Sequence, residues 1–339
     1  MPQGYAAYRT PATTPGPHRS EGLTMKRVFT LAALLLGHAV FAAERGPAVP
    51  DYPAEQVAPR TYVIHGPVGY PTAENQGFMN NPAFVLTADG VVVIDPGSSV
   101  QTGEMVLRQI RKLTGQKVLA VLNTHVHGDH WLGNQAFRDA DPAVAIYGHP
   151  NMIAGIEAGV GDSWVANMDQ LTAGATRGTR VVGPNTAVQD GDSVSFGGIT
   201  FRFLHFGIAH SNSDLMIEVP QEQVLFLADN ATNRRIIRMD DGRFSGNIAT
   251  LDAATQVKAR VLVPGHGKTG DWTLVQAYRD YLAELKAAVK THYDAGLSDF
   301  EMKPQVAAAL ARFADWPGFD DELGKHISLA LLEIEAESF

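Results

Sequence analysis

The sequence predicts an α/β protein built from two broadly similar halves and closed by a helical C-terminal extension. Three observations carry this. Short β-branched runs punctuated by Gly and Pro open the chain, a strand–helix–strand unit follows, and from Leu274 onward apolar residues recur only at helical spacing. The composition is that of an ordinary globular protein: 339 residues, 45% hydrophobic and 19% charged. There is no Cys, which excludes disulfides, thiolate metal sites and cysteine nucleophiles. With 27 Lys and Arg against 36 Asp and Glu, the net charge is −9. Phosphate contacts need clustered cations, so no nucleic-acid partner is expected.

The N-terminus is set aside first. Met25-Lys26-Arg27, an apolar run over 28–36 and small residues up to Ala43 have the layout of a secretory signal peptide at 25–42. The run is too short for a membrane-spanning helix of roughly 20 residues. Residues 1–24, rich in Pro and Thr, read as a non-native upstream extension. The expectation is a periplasmic or secreted protein without a membrane anchor, its main domain at 43–272 and its helical extension at 273–339.

Strands are predicted at 61–64 and 83–86, with Ala88-Asp89-Gly90 as a hairpin turn. Val91-Val92-Val93-Ile94 is apolar throughout, as expected for a strand covered on both faces. A helix carrying Met105, Leu107, Ile110 and Leu113 leads into a second apolar strand at 118–122, which completes a βαβ unit. The second half predicts strands at 200–206, 214–219 and 224–228, a helix around 251–258 and a strand at 261–264. In the extension, Leu274, Tyr278, Tyr281, Leu282, Leu285, Val289 and Tyr293 form one apolar stripe. A second helix starts at Ser298 with Glu301 completing a capping box, and a third carries Leu323, Ile327, Leu331 and Ile334. This tail is expected to lie as a helical layer over the core.

Chemistry concentrates at the strand ends. The chain has 12 His, and His125-Val126-His127-Gly128-Asp129-His130 sets three of them and an Asp just past a buried strand. His125 and His127, two apart in extended backbone, point the same way and can share one cation; Gly128 permits a sharp turn, after which Asp129 and His130 can face a second. His210, Asp229 and His266 are each the first strong ligand after a later apolar strand. All could meet at one edge of the fold. Trp131 is a candidate to line a cleft there. Arg234, in the pair Arg234-Arg235, is a candidate for paired hydrogen bonds to a substrate carboxylate. Segments 78–81, 164–171 and 234–244 are read as the loops that shape the cleft.

His-x-His-x-Asp-His followed by separated His, Asp and Gly-His-Gly resembles the metallo-β-lactamase-fold hydrolase superfamily over roughly 62–267. Within it, the chain is most similar to secreted relatives of hydroxyacylglutathione hydrolase, including those linked to sulfur oxidation and quinoprotein systems. The resemblance implies an αββα sandwich, with 43–272 as the catalytic domain. It also implies two Zn2+ per chain, with iron or manganese as substitutes. His125, His127 and His210 would hold the first ion, Asp129, His130 and His266 the second, and Asp229 would bridge both. Asp95 and Asp214 resemble the family's polar residues that orient metal-bound imidazoles. Asp229 stands where plasmid-borne β-lactamases have Cys, and His130 where they have Arg. That combination resembles thioesterases and lactonases instead.

The implied activity is hydrolysis of an ester, thioester, lactone or lactam carbonyl in a small-molecule substrate. A metal-bridging hydroxide, positioned partly by Asp129, would be the nucleophile. Two other readings stay open. One is a mononuclear iron persulfide dioxygenase using His125, His210 and Asp229. The other is a non-catalytic metal-binding accessory protein of a periplasmic redox system.

Overall fold

The computed structural model describes residues 45–338. The expected signal peptide at 25–42 and the extension at 1–24 lie outside these residues. Two sheets face each other. The first takes its strands in sequence order: β1 (Glu55–Ala58), β2 (Thr61–Val63), β3 (Ala83–Leu86), β4 (Val91–Ile94), β5 (Val118–Leu122), β6 (Ala145–Gly148) and β7 (Thr186–Ala187). The second holds β8 (Ser193–Phe196), β9 (Ile199–Leu204), β10 (Met216–Val219), β11 (Val224–Ala228) and β12 (Val261–Pro264), ordered β12-β11-β10-β9-β8. Each half contains a parallel pair joined by a helical crossover. In the first, α1 (Val100–Leu113) links β4 to β5; in the second, α6 (Phe244–Ala254) links β11 to β12. Between these helices come α2 (Gly128–Trp131), α3 (Asn134–Ala140), α4 (Pro150–Gly155), a π-helical turn (Ile156–Val160) and α5 (Gly161–Leu171). The chain closes with α7 (Trp272–Asp294), α8 (Asp299–Ala309) and α9 (Phe319–Glu337).

Strand periodicity explains the layering. In β4, Val92 and Ile94 point between the sheets and pack with Phe201, Ile217 and Phe226 of the second sheet. Val91 and Val93 point the other way, under Met105, Val106 and Ile110 of α1. The outer face of the second sheet is covered by the tail: Leu225, Leu227 and Leu262 share one core with Tyr278, Leu282, Leu285, Ile327 and Ile334. Helices therefore flank both sheets, the αββα arrangement, and α7–α9 form the expected helical layer. The capping box at Ser298 and Glu301 is present. No helix among the described residues is long and apolar enough to cross a membrane.

Some expectations are corrected. Leu113 sits in the last turn of α1 and is 46% exposed, so the core-facing stripe ends at Ile110. The second crossover helix starts at Phe244 and ends at Ala254, several residues before the predicted segment. Its buried face includes the polar Asn247 and Thr250, which hid the periodicity. Segment 164–171, read as a loop, is the body of α5.

Candidate metal centre

The parallel strand pairs of the two halves stop at the same rim. Asp95 follows β4 and Thr124-His125 follow β5; Asp229 follows β11 and Gly265-His266 follow β12. The turn out of β4 holds Asp95 at φ +46°, and that out of β11 holds Ala228 at φ +49°. Both are left-handed conformations that side chains disfavour, and such strain gathers at functional sites.

Hydrogen bonds behind the imidazoles decide which nitrogen faces inward. Asp95 Oδ2 accepts from the Thr124 hydroxyl at 2.6 Å and from His130 Nδ1 at 2.9 Å; Oδ1 accepts from the Thr124 backbone N–H. The Thr124 oxygen, its proton already given to Asp95, accepts from His125 Nδ1 at 3.0 Å. His266 Nδ1 donates to the Met79 carbonyl at 2.8 Å. His127 Nε2 donates to Asp241 Oδ2 at 2.9 Å. The lone pairs of His125 Nε2, His130 Nε2, His266 Nε2 and His127 Nδ1 are therefore free for the centre.

Those atoms converge. His127 Nδ1 lies 2.9 Å from His210 Nε2. Asp229 Oδ2 lies 3.9 Å from His125 Nε2, 3.5 Å from His210 Nε2 and 3.3 Å from His266 Nε2, while its Oδ1 is 3.3 Å from His130 Nε2. Asp129 Oδ2 is 3.3 Å from His266 Nε2 and 3.6 Å from His130 Nε2. One group of potential ligand atoms is His125, His127, His210 and Asp229; another is Asp129, His130 and His266. A third grouping, Asp95 with His125 and His130, shares members with both, but Asp95 is already engaged behind His130. A Cβ on Gly265 would overlap Asp229 Oδ1, so glycine leaves the central carboxylate its place.

The electrostatics suit cations. Burial and the neighbouring imidazoles push His125 well below its usual range, and burial brings His210 down to about 3; both are neutral donors. Burial opposes ionisation of Asp129 and Asp229, yet His130 and His266 beside them hold both carboxyls below their usual range. Burial likewise disfavours charged His130 and His266, and the two carboxylates outweigh it; the same pull favours a cation between rings and carboxylates, where it would take the place of the Nε2 protons. His125 Nε2, His130 Nε2 and Asp229 Oδ1 are buried without a hydrogen-bond partner. Unpartnered donor atoms aimed at one point, all nitrogen or oxygen, fit divalent cations of the zinc, manganese or iron type.

The structure thus brings all seven predicted ligand candidates together. The surrounding candidates fare differently. Asp95 supports His130 directly. Asp214 touches no imidazole of the cluster; it accepts from the Ser211 N–H and hydroxyl and so braces the turn after His210. Burial pushes its carboxyl up to about 6. Trp131 is fully buried, its indole N–H donating to the Val126 carbonyl, because the short α2 turns it away from the rim into a pocket with Met152 and Met168. Trp164 lines the cleft instead, 5.5 Å from the His127 ring. Gly128 does not make a left-handed turn; it starts α2, and its missing Cβ is the space against which Trp164 packs. Arg234 points outward, its side chain 67% exposed and paired with Asp315, while Arg235 lines the cleft.

That cleft holds about 330 Å³ beside the cluster. Its apolar wall comes from Met79, Trp164, Leu171 and Ile237, its polar wall from Tyr70, Arg235, Arg238 and Asp241, and α9 adds Glu322 and Lys325. The three segments read as shaping the cleft all contribute to it: Met79 from 78–81, Trp164 and Leu171 from 164–171, and Arg235, Ile237, Arg238 and Asp241 from 234–244. Sequence reasoning missed Tyr70, Glu322 and Lys325, none of which belongs to a spaced motif, and it read the arginine pair onto the wrong member.

Residues 76–266, more than half of the chain, match the family described as "Metallo-beta-lactamase superfamily". The chain belongs to this superfamily. Among its superfamily relatives is a metallo-beta-lactamase type 2 of Bacteroides fragilis, 25% identical over 74% of this chain and 94% of the relative. A linear primary-alkylsulfatase of a Pseudomonas strain is 24% identical over 53% of this chain; the match spans 40% of that longer protein. Two solved structures share the fold. A metallo-beta-lactamase from Pontibacter korlensis aligns with a TM-score of 0.55 and 19% identity, covering 68% of this chain and 98% of its own. The inverting sec-alkylsulfatase Pisa1 from Pseudomonas aligns with a TM-score of 0.62 and 18% identity, covering 83% of this chain and 50% of its own. Lactamase and alkylsulfatase relatives together support a metal-dependent hydrolase.

Proposed function

We propose that this superfamily member is a hydrolase of a small ester, thioester, lactone or lactam, working with two divalent ions, zinc foremost. The observation that supports this most strongly is the convergence of two ligand groups on one carboxylate, Asp229. His125, His127 and His210 would hold one ion and Asp129, His130 and His266 the other, with Asp229 between them. Bound there, such ions supply an activated water and polarise the oxygen of a carbonyl.

The protein's own groups do the rest. Thr124, Asp95, Asp241 and the Met79 carbonyl fix four imidazoles in the tautomer that directs a lone pair inward. Asp129, held ionised, is an acceptor that orients the attacking water. Trp164, Leu171 and Ile237 keep bulk water from one side of the cleft and give an acyl or alkyl portion an apolar surface. The iron dioxygenase reading uses only His125, His210 and Asp229, and leaves Asp129, His130 and His266 assembled without a task.

Zinc-loaded protein, its metal measured by elemental analysis, should be screened against aryl esters, thioesters, lactones, a chromogenic cephalosporin and aryl sulfates. Thioesters are included for the sequence's likeness to hydroxyacylglutathione hydrolase relatives, and sulfates for the alkylsulfatase relatives. Chelator-sensitive turnover of at least one class is expected. Full metal content with no turnover of any class would return the accessory-protein reading.

A further inference from the structure

Four of the ligand imidazoles are held from behind, and one of the four differs from the rest. His125, His130 and His127 rest on the Thr124 hydroxyl, Asp95 and Asp241, each accepting a hydrogen bond from the ring. His266 has two claimants on one nitrogen. The Met79 carbonyl lies 2.8 Å from Nδ1 and can only accept; an Arg235 guanidinium nitrogen lies 2.6 Å from Nδ1 and can only donate. Among the described residues no other Lys or Arg hydrogen-bonds a member of the cluster.

A ring nitrogen carries either a proton or a lone pair in the ring plane, so Nδ1 serves one of these partners at a time. Serving Met79, the ring turns a lone pair on Nε2 towards the centre, as a cation there requires. Serving Arg235, the ring carries its proton on Nε2, which lies 3.3 Å from Asp129 Oδ2 and 3.3 Å from Asp229 Oδ2. Both carboxylates then face an N–H where the second ion would lie. The guanidinium charge also opposes a further cation at this ring. Arg235 is 5% exposed, and its other polar contact is Met79 Sδ at 4.0 Å. It lines the cleft, which leaves its guanidinium room to turn away from the ring.

We propose that Arg235 and the second ion compete for His266, so that the chain binds one ion tightly through His125, His127, His210 and Asp229, and a second, at Asp129, His130 and His266, more weakly. Arg235 is thus a positioning residue, acting on the centre through the His266 ring. The Met79 carbonyl favours the ring that accepts an ion and Arg235 the ring that refuses one. Metal concentration then decides between them, because a ligand shifts a two-state element by its differential affinity. This inference rests on the two-ion part of the proposed function and on no particular substrate.

The test titrates zinc into metal-free full-length protein at pH 8 against a chromogenic chelator, for wild type, Arg235→Met and Arg235→Lys. Long-range proton–nitrogen NMR spectra of the same metal-free proteins report the His266 ring, assigned with His266→Gln. Wild type is expected to bind in two steps, the second at least about 10-fold weaker than the first. Arg235→Met should tighten the second step about 10- to 100-fold and leave the first within about 3-fold. Arg235→Lys keeps the charge without the planar fork and should tighten it by less. His266 should carry its proton on Nε2 in wild type and on Nδ1 in Arg235→Met, a change that lost packing alone would not produce.

Two equal steps in wild type, a second step unmoved in Arg235→Met, or an Nδ1 proton on His266 in the metal-free wild type overturns the assignment. Should Arg235→Met fail to fold, the wild-type spectrum and the Lys variant still decide. One step in wild type that becomes two in Arg235→Met is the expected result in its strongest form. One step in every protein overturns the two-ion reading itself, whereas two equal steps in wild type keep that reading and remove only the part given to Arg235.

Discussion

His125, His127, Asp129 and His130 come from six consecutive residues after β5, whereas the polar wall they face gathers Tyr70, Arg235, Arg238, Glu322 and Lys325 from three separate segments of the chain. The rim is tied down by short hydrogen bonds within and between strand ends, such as Asp95 to Thr124 and His130. The wall is carried by the irregular stretch between β11 and α6 and by the tail. The Ile236 N–H donates to the Pro317 carbonyl, His326 Nε2 donates to the Ile237 carbonyl, and Glu333 accepts from the N–H groups of Phe244 and Ser245 at the start of α6. The ligand cluster and the cleft wall thus rest on different supports. Damage to one should leave a signature the other does not show.

The largest effect should come from the rim. Chelation, or Asp229→Ala, is expected to lower turnover by at least about 10³-fold, since ions held there would supply both an activated water and an electrophile. Because metal binds the folded state, chelation should also lower Tm, and added zinc should restore it in a concentration-dependent way. Thermal melts with and without chelator check this; identical melts would mean that the cluster does not hold metal tightly.

The wall's support should respond to pH. Burial brings the His326 imidazole down to about 4, held between the Tyr281 hydroxyl and the Ile237 carbonyl. Its folded value lies below the unfolded one of about 6.5, so on acidification the unfolded chain takes up the proton first. Its stabilisation is fully present above pH 6.5 and is lost as pH falls towards 4, on the order of 3 kcal/mol in all. The difference in stability between wild type and His326→Gln should therefore shrink across that window. Denaturant melts at pH 7.5, 5.5 and 4.5 measure it, and a constant difference would show that His326 does not report on burial.

These two regions also mark how far the sequence could be read. The rim was legible because a strand followed by His-x-His-x-Asp-His is a local pattern whose chemistry and geometry arise within a few residues. Asp229 and His266 were found by the same rule, as first ligands after apolar strands; His210 was reached by extending its strand to 206, whereas β9 ends at Leu204 and His205 comes first. The αββα layering followed from the resemblance and from continuous apolar strands such as β4, covered on both faces. Of the wall, segment 234–244 was legible, but Tyr70 and the share of α9 were not, because nothing near Tyr70 or Lys325 in sequence signals a cleft; their meeting depends on how α9 packs against the outer face of the second sheet. Trp131 and Trp164 show the same limit. Proximity to the motif favoured Trp131, but the helical turn of α2 buries it, and α5 delivers Trp164 from more than thirty residues away.

A smaller effect is expected from Asp95→Ala. Asp95 touches no cleft, but it holds His130 Nδ1 and the Thr124 pair that orients His125. Removing it should weaken metal affinity about 10- to 100-fold, with turnover restored towards wild type once metal saturates. Competition with a chromogenic chelator gives the affinity, and an affinity equal to that of wild type would show that Asp95 does not hold the imidazoles in place.

The smallest effect separates adjacent arginines. Arg234 adopts φ +55°, which aims its side chain away from the cleft to an exposed pairing with Asp315, whereas Arg235 turns inward. An exposed ion pair contributes little, so Arg234→Ala should cost below about 1 kcal/mol in stability. Relief of the left-handed strain is not expected, because alanine carries the same Cβ penalty there. Arg234→Gly tests that point: glycine adopts this conformation freely and should be no less stable than the alanine variant. In both variants turnover should match wild type, since the guanidinium that lines the cleft belongs to the next residue. A loss of turnover in Arg234→Ala equal to that in Arg235→Met would mean that the turn as a whole, and not one side chain, shapes the cleft.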